Sequence, residues 1–171
     1  MSRQKIIAMI PARIGSKRLK IKNLALINGK PMIAYSVLAA KQSGVFDRIV
    51  INSDSDVFKV ISDEYGVEFY KRPENLGSSE TKSDDVVLDF MNSHPSDVVA
   101  WVNSISPLQN GEIIRDVIQH FLKENLDSLI TVKNEQVHCA YQSNPVNFDL
   151  YGKFSQTQDL EPIQPFVYSI M

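Results

Sequence analysis

Short apolar runs alternate with amphipathic stretches along this chain, beginning at residues 5–10, where Ile6, Ile7, Ala8, Met9 and Ile10 follow one another without a polar interruption. A run of that length predicts a strand covered on both faces, as in a parallel sheet, and Pro11 ends it. Pro31 then opens a helix with Met32, Ile33, Val37 and Ala40 on one face, and Gly44 is placed to close it in a left-handed conformation. Residues 48–52 (Arg-Ile-Val-Ile-Asn) predict a second strand that leads into the polar Ser53, Asp54 and Ser55. Ser55 is placed to cap a helix carrying Phe58, Ile61 and Tyr65 at helical spacing and closed by Gly66. A short third strand is expected over 67–70 and a long polar loop over 72–81. A helix starts at Ser83, with Asp84 and Asp85 in its first turn ahead of Val86, Val87, Phe90 and Met91. A fourth strand is expected over 98–102, then a helix capped by Asn110 with apolar residues at 113, 114, 117, 118, 121 and 122, then a fifth strand over 128–132.

Strands alternating with helices over 5–132 imply an α/β fold, a three-layer sandwich in which a mostly parallel sheet is covered by helices on both sides through right-handed crossovers. Ligands bind such sheets beyond the carboxyl ends of the strands. The polar segments 11–23, 53–55, 72–83 and 103–106 all follow strands, so they are expected to gather at one rim. From Lys133 the rhythm changes. Residues 134–165 hold Tyr141, Phe148, Tyr151 and Phe154 among Pro145, Pro162 and Pro165, with no helical or strand period. Such an extended segment cannot bury its aromatics alone, and packing against a second copy of the chain is the expected solution. The predicted organisation is therefore an α/β nucleotide-binding domain over 1–133, an extended dimerisation segment over 134–165, and the start of a further strand over 166–171.

Composition changes this picture little. At 171 residues, 43% apolar and 22% charged, the chain is an ordinary globular one, and a net charge of -2 gives no reason to expect nucleic acid or an anionic membrane as partner. The positive charge is nonetheless locally concentrated: Arg13, Lys17, Arg18, Lys20 and Lys22 surround Gly15 and Ser16 within ten residues. A cationic turn in which glycine lets the backbone approach a ligand is one way to hold a polyphosphate; a solvated basic loop is the other reading. Its position after the first buried strand favours the phosphate. Neither Gly-x-x-x-x-Gly-Lys-Ser/Thr nor Gly-x-Gly-x-x-Gly occurs, which weighs against ATPase and dinucleotide oxidoreductase readings.

The single cysteine, Cys139, can form no internal disulfide, which fits the cytoplasm. Pro11 and Arg13 end the first apolar run too early for a signal peptide or a membrane span. His94, His120 and His138 lack ligand spacing, so a zinc site with Cys139 is not expected, and the adjacent His138 and Cys139 read as ordinary packing.

Residues 10–24, Ile-Pro-Ala-Arg-Ile-Gly-Ser-Lys-Arg-Leu-Lys-Ile-Lys-Asn-Leu, closely resemble the signature of the acylneuraminate cytidylyltransferases, the CMP-sialic acid synthetase family. Phe-Asp-Arg-Ile-Val-Ile-Asn-Ser-Asp (46–54), Arg-Pro-Glu-Asn-Leu (72–76) and Ser-Ile-Ser-Pro-Leu (104–108) follow in the same order as in that family, and Lys22-Asn23-Leu24 leans toward it over the ketodeoxyoctonate branch. The resemblance implies the fold of nucleotide-diphospho-sugar transferases. It further implies transfer of CMP from CTP to the anomeric hydroxyl of a sialic-acid-like keto-sugar acid, with Mg²⁺ and release of pyrophosphate. Attack on the α-phosphorus builds charge on the phosphoryl oxygens and the leaving group, so fixed cations are the main need. Arg13, Lys17 and Lys22 take that catalytic role, while Ala12, Gly15, Ser16, Asn23, Arg72 and Ser83 are assigned to the nucleotide. Ser83 serves equally as a helix cap, and Asp54 as a ribose or metal contact or as the start of its helix. Asn103 and Ser106 are assigned to the sugar; Asn103 replaces the family's usual glutamine and Gln109 its usual arginine. The aspartate pair that carries Mg²⁺ in the family belongs to a tail beyond the matched region, so no metal ligand is assigned and a C-terminal truncation is expected. A nucleotidyltransferase for another sugar, and a nucleotide-binding module without turnover, are the alternatives.

Overall fold

The structure is a computed structural model that describes residues 3–15 and 21–171. Its first apolar run forms β1 (Ile6–Ala12), and a short antiparallel hairpin follows, β2 (Leu26–Ile27) and β3 (Lys30–Pro31), turned by Asn28 and Gly29 at positive φ. Then come α1 (Met32–Ser43), β4 (Arg48–Ser53), α2 (Val57–Tyr65), β5 (Glu68–Lys71), α3 (Ser83–Ser93), β6 (Val98–Trp101) and α4 (Gly111–Lys123). The sheet has the order β5-β4-β1-β6, and every pairing in it is parallel. Met9 of β1 lies between Val50 and Trp101, so β1 is an interior strand. The chain builds β1, β4 and β5 outward in one direction and then returns to place β6 on the far side of β1. That reversal opens a crevice beyond the carboxyl ends of the strands.

The unbroken apolar character of β1 follows from burial on both faces. Ile6, Ala8, Ile10 and Ala12 face Ile33, Val37 and Ala40 of α1, Phe58 and Ile61 of α2, and Ile114 and Ile118 of α4. Ile7 and Met9 face the other way, against Val50 and against Phe90 of α3. Three layers result, as expected, with each fully buried Ile or Met contributing roughly 1.5–3 kcal/mol. Gly44 ends α1 at φ 68, the left-handed conformation foreseen for it, and Arg115 of α4 donates from Nε to Ser43 O (2.9 Å) and from Nη2 to Gln42 O (3.1 Å) at the same helix end. Asn110 caps α4, its side chain accepting from Ile113 N at 2.9 Å.

Four local expectations change. β1 runs through Pro11, paired with Asn52, to Ala12 instead of stopping at the proline. The α2 helix is entered through Asp56 and α3 through Lys82, neither with a side-chain cap bond, so Ser55 and Ser83 do not cap their helices. The fifth strand expected over 128–132 is absent from the sheet; Val132 makes only an isolated bridge to Phe166. The free edge of β6 is taken instead by residues 169–171. Trp101 N donates to Met171 O (2.8 Å), Met171 N to Trp101 O (3.2 Å) and Asn103 N to Ser169 O (3.0 Å), with Ile170 buried in the core.

The chain divides into a unit of residues 1–129 with 169–171, and a second unit, Ile130–Tyr168. The second unit holds a minimal hairpin, β7 (Ala140–Tyr141) and β8 (Asn144–Pro145), and antiparallel bridges between 132 and 166 and between 135 and 163. Lacking periodic structure, it is pinned by side chains. The Asn147 amide donates to Val137 O and Glu161 O and accepts from Cys139 N, each at 2.9 Å. His138 stacks on Phe154 with centroids 4.3 Å apart and meets Phe148 edge-on at 5.1 Å.

On the sheet face opposite α1, His94 stacks on Phe90 (4.2 Å between centroids) and meets Tyr70 edge-on, with Nδ1 3.2 Å from Phe90 O. Burial pushes its pKa below the ordinary imidazole value. The unfolded chain therefore binds the extra proton first. The contribution of His94 to stability is complete above about pH 6.5 and is lost as pH falls through the lower folded-state value, with a slope of at most about 1.4 kcal/mol per pH unit. His94→Phe keeps the stacked ring and is expected to flatten this acid limb. Melting curves of both proteins between pH 7 and pH 5 check it, and equal losses in the two would remove His94 as the cause.

Candidate functional site

The carboxyl ends of β1, β5 and β6 surround a cleft of about 320 Å³, lined on one side by Ala12, Arg13, Lys22 and Asn23, and on the other by Arg72, Ser78, Ser79, Thr81 and Ser83. Trp101 and Asn103, at the end of β6, also line it, as do Ser104 and Ile105. β1 aims Arg13 into this space because its last residues are registered against β4, Ala12 opposite Ser53. The Arg13 guanidinium donates from Nη1 to Ser78 O at 3.1 Å, and among the described residues it meets no carboxylate.

Arg72 is the best buried cation of the cleft, at 4% exposure. It donates from Nη1 to Asn52 O (3.1 Å) and from Nη2 to Ala12 O (2.9 Å), tying the ends of β4 and β1 together, and its Nη2 lies 3.7 Å from Asp54 Oδ1. Burial lowers its pKa while Asp54 raises it and the neighbouring Arg13 lowers it further. Its Nε is enclosed and has no partner among the described residues.

Lys22 and Asn23 are set by a one-turn 3₁₀ helix, Lys22–Leu24, that Ile21 enters at φ 54 and ψ 37. A β-branched residue is costly in that region, on the order of 1 kcal/mol or more, which marks this turn as held by its surroundings. Asn23 is 5% exposed. Its Oδ1 lies 3.4 Å from Ser104 Oγ, whose hydroxyl donates to Pro11 O at 2.7 Å. The Asn23 amide nitrogen donates to no described residue, and Asn23 lines the cleft. The opposite wall is an ordered hydroxyl turn in which Ser78 Oγ accepts from Glu80 N (3.1 Å) and Thr81 N (3.2 Å).

The structure thus brings Ala12, Arg13, Lys22, Asn23, Arg72, Ser83 and Asn103 to one cleft. Ser16 and Lys17 lie outside the described residues. Gly15 is not part of the lining, and Ser106 lines a separate apolar recess with Pro107, Leu108, Gln109, Ile113 and Ser169. Among the described residues no group of three or more His, Cys, Asp or Glu can hold a metal ion, so no residue here is assigned to Mg²⁺.

Against this geometry, a family model described as Cytidylyltransferase matches residues 7–159. The chain belongs to the cytidylyltransferase family. Within it, the chain is 29% identical over 168 residues to an N-acylneuraminate cytidylyltransferase of Streptococcus agalactiae serotype V, covering 93% of this chain and 41% of that protein. It is 31% identical over 168 residues to a pseudaminic acid cytidylyltransferase of Campylobacter jejuni, covering 91% of this chain and 72% of that one. Among solved structures, the CMP:2-keto-3-deoxy-manno-octonic acid synthetase complexed with CTP superposes with a TM-score of 0.63 at 21% identity, over 71% of this chain and 48% of that chain, a likeness of fold. The chain spans about two-fifths of the length of the streptococcal relative. Among the described residues, no helix is long and apolar enough to cross a membrane.

For a cytidylyltransferase, the polar rim segments were the informative signal, and they pointed to the loops without ranking the residues inside them. Ser104, Ser78 and Thr81 were not singled out, although each sits in a rim segment. Only their hydrogen bonds to Pro11, Glu80 and Asn75 distinguish them from solvated hydroxyls.

Proposed function

We propose that the cleft holds CTP and that the chain is the nucleotide-binding part of an enzyme that transfers CMP to a sialic-acid-like keto-sugar acid with release of pyrophosphate. The observation that carries this reading is the convergence of Arg13, Lys22, Arg72 and the buried Asn23 amide on one cleft at the rim of the sheet. The names of the relatives at about 30% identity support both the nucleotide and the acid sugar. In this reading the anomeric oxygen attacks the α-phosphorus and displaces pyrophosphate. Arg13 and Lys22 meet the charge that grows on the phosphoryl and leaving oxygens, and Asn103 faces the sugar. Mg²⁺ accompanies the triphosphate, and no protein ligand is assigned to it.

A homodimer belongs to the same proposal. Tyr151 is 98% exposed and Phe154 and Tyr141 are also open to solvent, more aromatic surface than a short segment leaves uncovered without a partner. A cytoplasmic setting fits the free thiol of Cys139.

Calorimetric titration with CTP, UTP, ATP and GTP tests the reading, followed by pyrophosphate release on adding N-acylneuraminate and related acids with Mg²⁺. Saturable binding with preference for CTP is expected. Failure to bind any triphosphate would overturn it, and CTP binding without release on any acid would reduce the chain to a nucleotide-binding module.

A further inference from the structure

Asp54 is the first residue after β4, in the rim segment 53–55, and it does not serve the helix that follows. The residue at the N-cap of α2 is Asp56, and no side chain makes a cap bond there. The Asp54 side chain is only 14% exposed and lies against Arg72 Nη2 at 3.7 Å, the Ser53 hydroxyl, which donates to Oδ1 at 3.3 Å, and Gly77. A Cβ built on Gly77 would stand 2.3 Å from Asp54 Oδ2 and 2.7 Å from its Cβ and Cγ. The loop after β5 therefore rests directly on the carboxylate, and only glycine allows it.

Electrostatics explains why a carboxylate belongs at that point. The buried Arg72 guanidinium has Arg13 as a like-charged neighbour, and of the two carboxylates that act on it, Asp54 and Asp89, Asp54 acts more strongly and is the one within ion-pair distance. A buried guanidinium without a counter-charge would turn to solvent and give up its bonds to Ala12 O and Asn52 O. We propose that Asp54 is the positioning residue of the nucleotide site. Its carboxylate holds the Arg72 fork on the ends of β1 and β4, and the missing side chain of Gly77 seats the loop on that carboxylate. Asp54 touches no substrate and acts through Arg72. For its effect on binding, the inference rests on the nucleotide reading of the cleft; for the Asp54 to Arg72 geometry, it stands alone.

Two variants test it from opposite sides. Asp54→Asn keeps the shape and removes the charge; Gly77→Ala keeps the charge and displaces it. Each is expected to weaken CTP affinity on the order of 10-fold. In an Arg72→Lys background, Asp54→Asn is expected to add less than about twofold, as coupled residues do. The second readout needs no ligand. The enclosed Nε–H of Arg72 is shielded from water, so its nitrogen–proton correlation, identified by its absence in Arg72→Lys, is expected to be sharp in the wild type and shifted or exchange-broadened in both variants.

Unchanged affinity together with an unchanged Nε–H signal in Asp54→Asn would overturn the proposal, and so would a full 10-fold loss in the Arg72→Lys background. If Asp54→Asn does not fold, Gly77→Ala carries the same two readouts. Should the wild type bind no CTP, the nucleotide reading falls while the Nε–H signal still decides whether Asp54 positions Arg72.

Discussion

Arg13→Ala is expected to lower the rate of CMP transfer by on the order of 100-fold or more, the usual cost of removing a charge contact made in the transition state. The residue follows β1 directly, and the pairing of that strand with β4 on one side and β6 on the other fixes where its side chain starts. Among the described residues its one hydrogen bond, to Ser78 O, is to a neutral carbonyl, and no carboxylate pairs with it. An incoming triphosphate thus replaces a neutral acceptor with a charged one, a bond roughly twice as strong. Charge grows on those oxygens as pyrophosphate leaves, so the contact tightens during the reaction and the loss should fall more on kcat than on CTP affinity. Arg13→Lys restores a positive charge without the two-pronged fork and should recover part of the rate. Pyrophosphate release for the three proteins, with CTP affinity measured beside it, checks the prediction. Wild-type rates in Arg13→Ala would remove Arg13 from the chemistry.

Much of the fold was legible in the sequence because the decisive signal was local. The unbroken run Ile6 to Ile10, ended by a proline, read as a strand covered on both faces, and its alternate residues do feed two separate cores. Gly44 and Asn110 marked helix ends through their own backbone and side-chain chemistry. The errors arose where a neighbour outweighs local preference. Residues 128–132 are apolar enough for a strand, yet the edge of β6 they would have joined is filled by 169–171, whose pairing lies nearly seventy residues away in sequence from its partner. Ser55 and Ser83 are good capping residues, but the helices begin one position away from where such a cap would work.

The site was legible as a set of loops and less so as a set of roles. Every rim segment except 53–55 sends side chains into one cleft. The basic loop drew attention by charge density, and within it only Arg13 and Lys22 among the described cations line the cleft. Arg72 carried one motif match and no charge cluster, yet it is the most buried charged group of the site. Its part in joining two strands has no sequence signature, because it depends on carbonyls at 12 and 52 that converge only once the sheet is formed. Ser106 shows the reverse case. The family resemblance assigns Ser106 to the sugar together with Asn103, and the turn that follows β6 places the two residues in different recesses.

Arg72→Met should accordingly cost stability as well as binding. The substitution preserves much of the apolar stem but removes the donors to Ala12 O and Asn52 O and leaves the mostly buried Asp54 without its counter-charge. Removing one partner of a buried ion pair costs roughly 3 kcal/mol. For a domain of this size that corresponds to a drop in Tm of about 6–12 °C. Arg72→Lys keeps a charge beside Asp54 but has one nitrogen where the fork has two, so it cannot reach both carbonyls and should fall between wild type and Met. Melting curves with and without CTP separate the two contributions. Saturating CTP at about 100 times Kd stabilises a binding-competent protein by roughly 2.7 kcal/mol. If Arg72 both fastens the strand ends and shapes the nucleotide site, the Met variant should melt early and should gain nothing from CTP. A variant that melts early yet still responds fully to CTP would confine Arg72 to holding β1 and β4 together, and one that melts with the wild type would remove even that role.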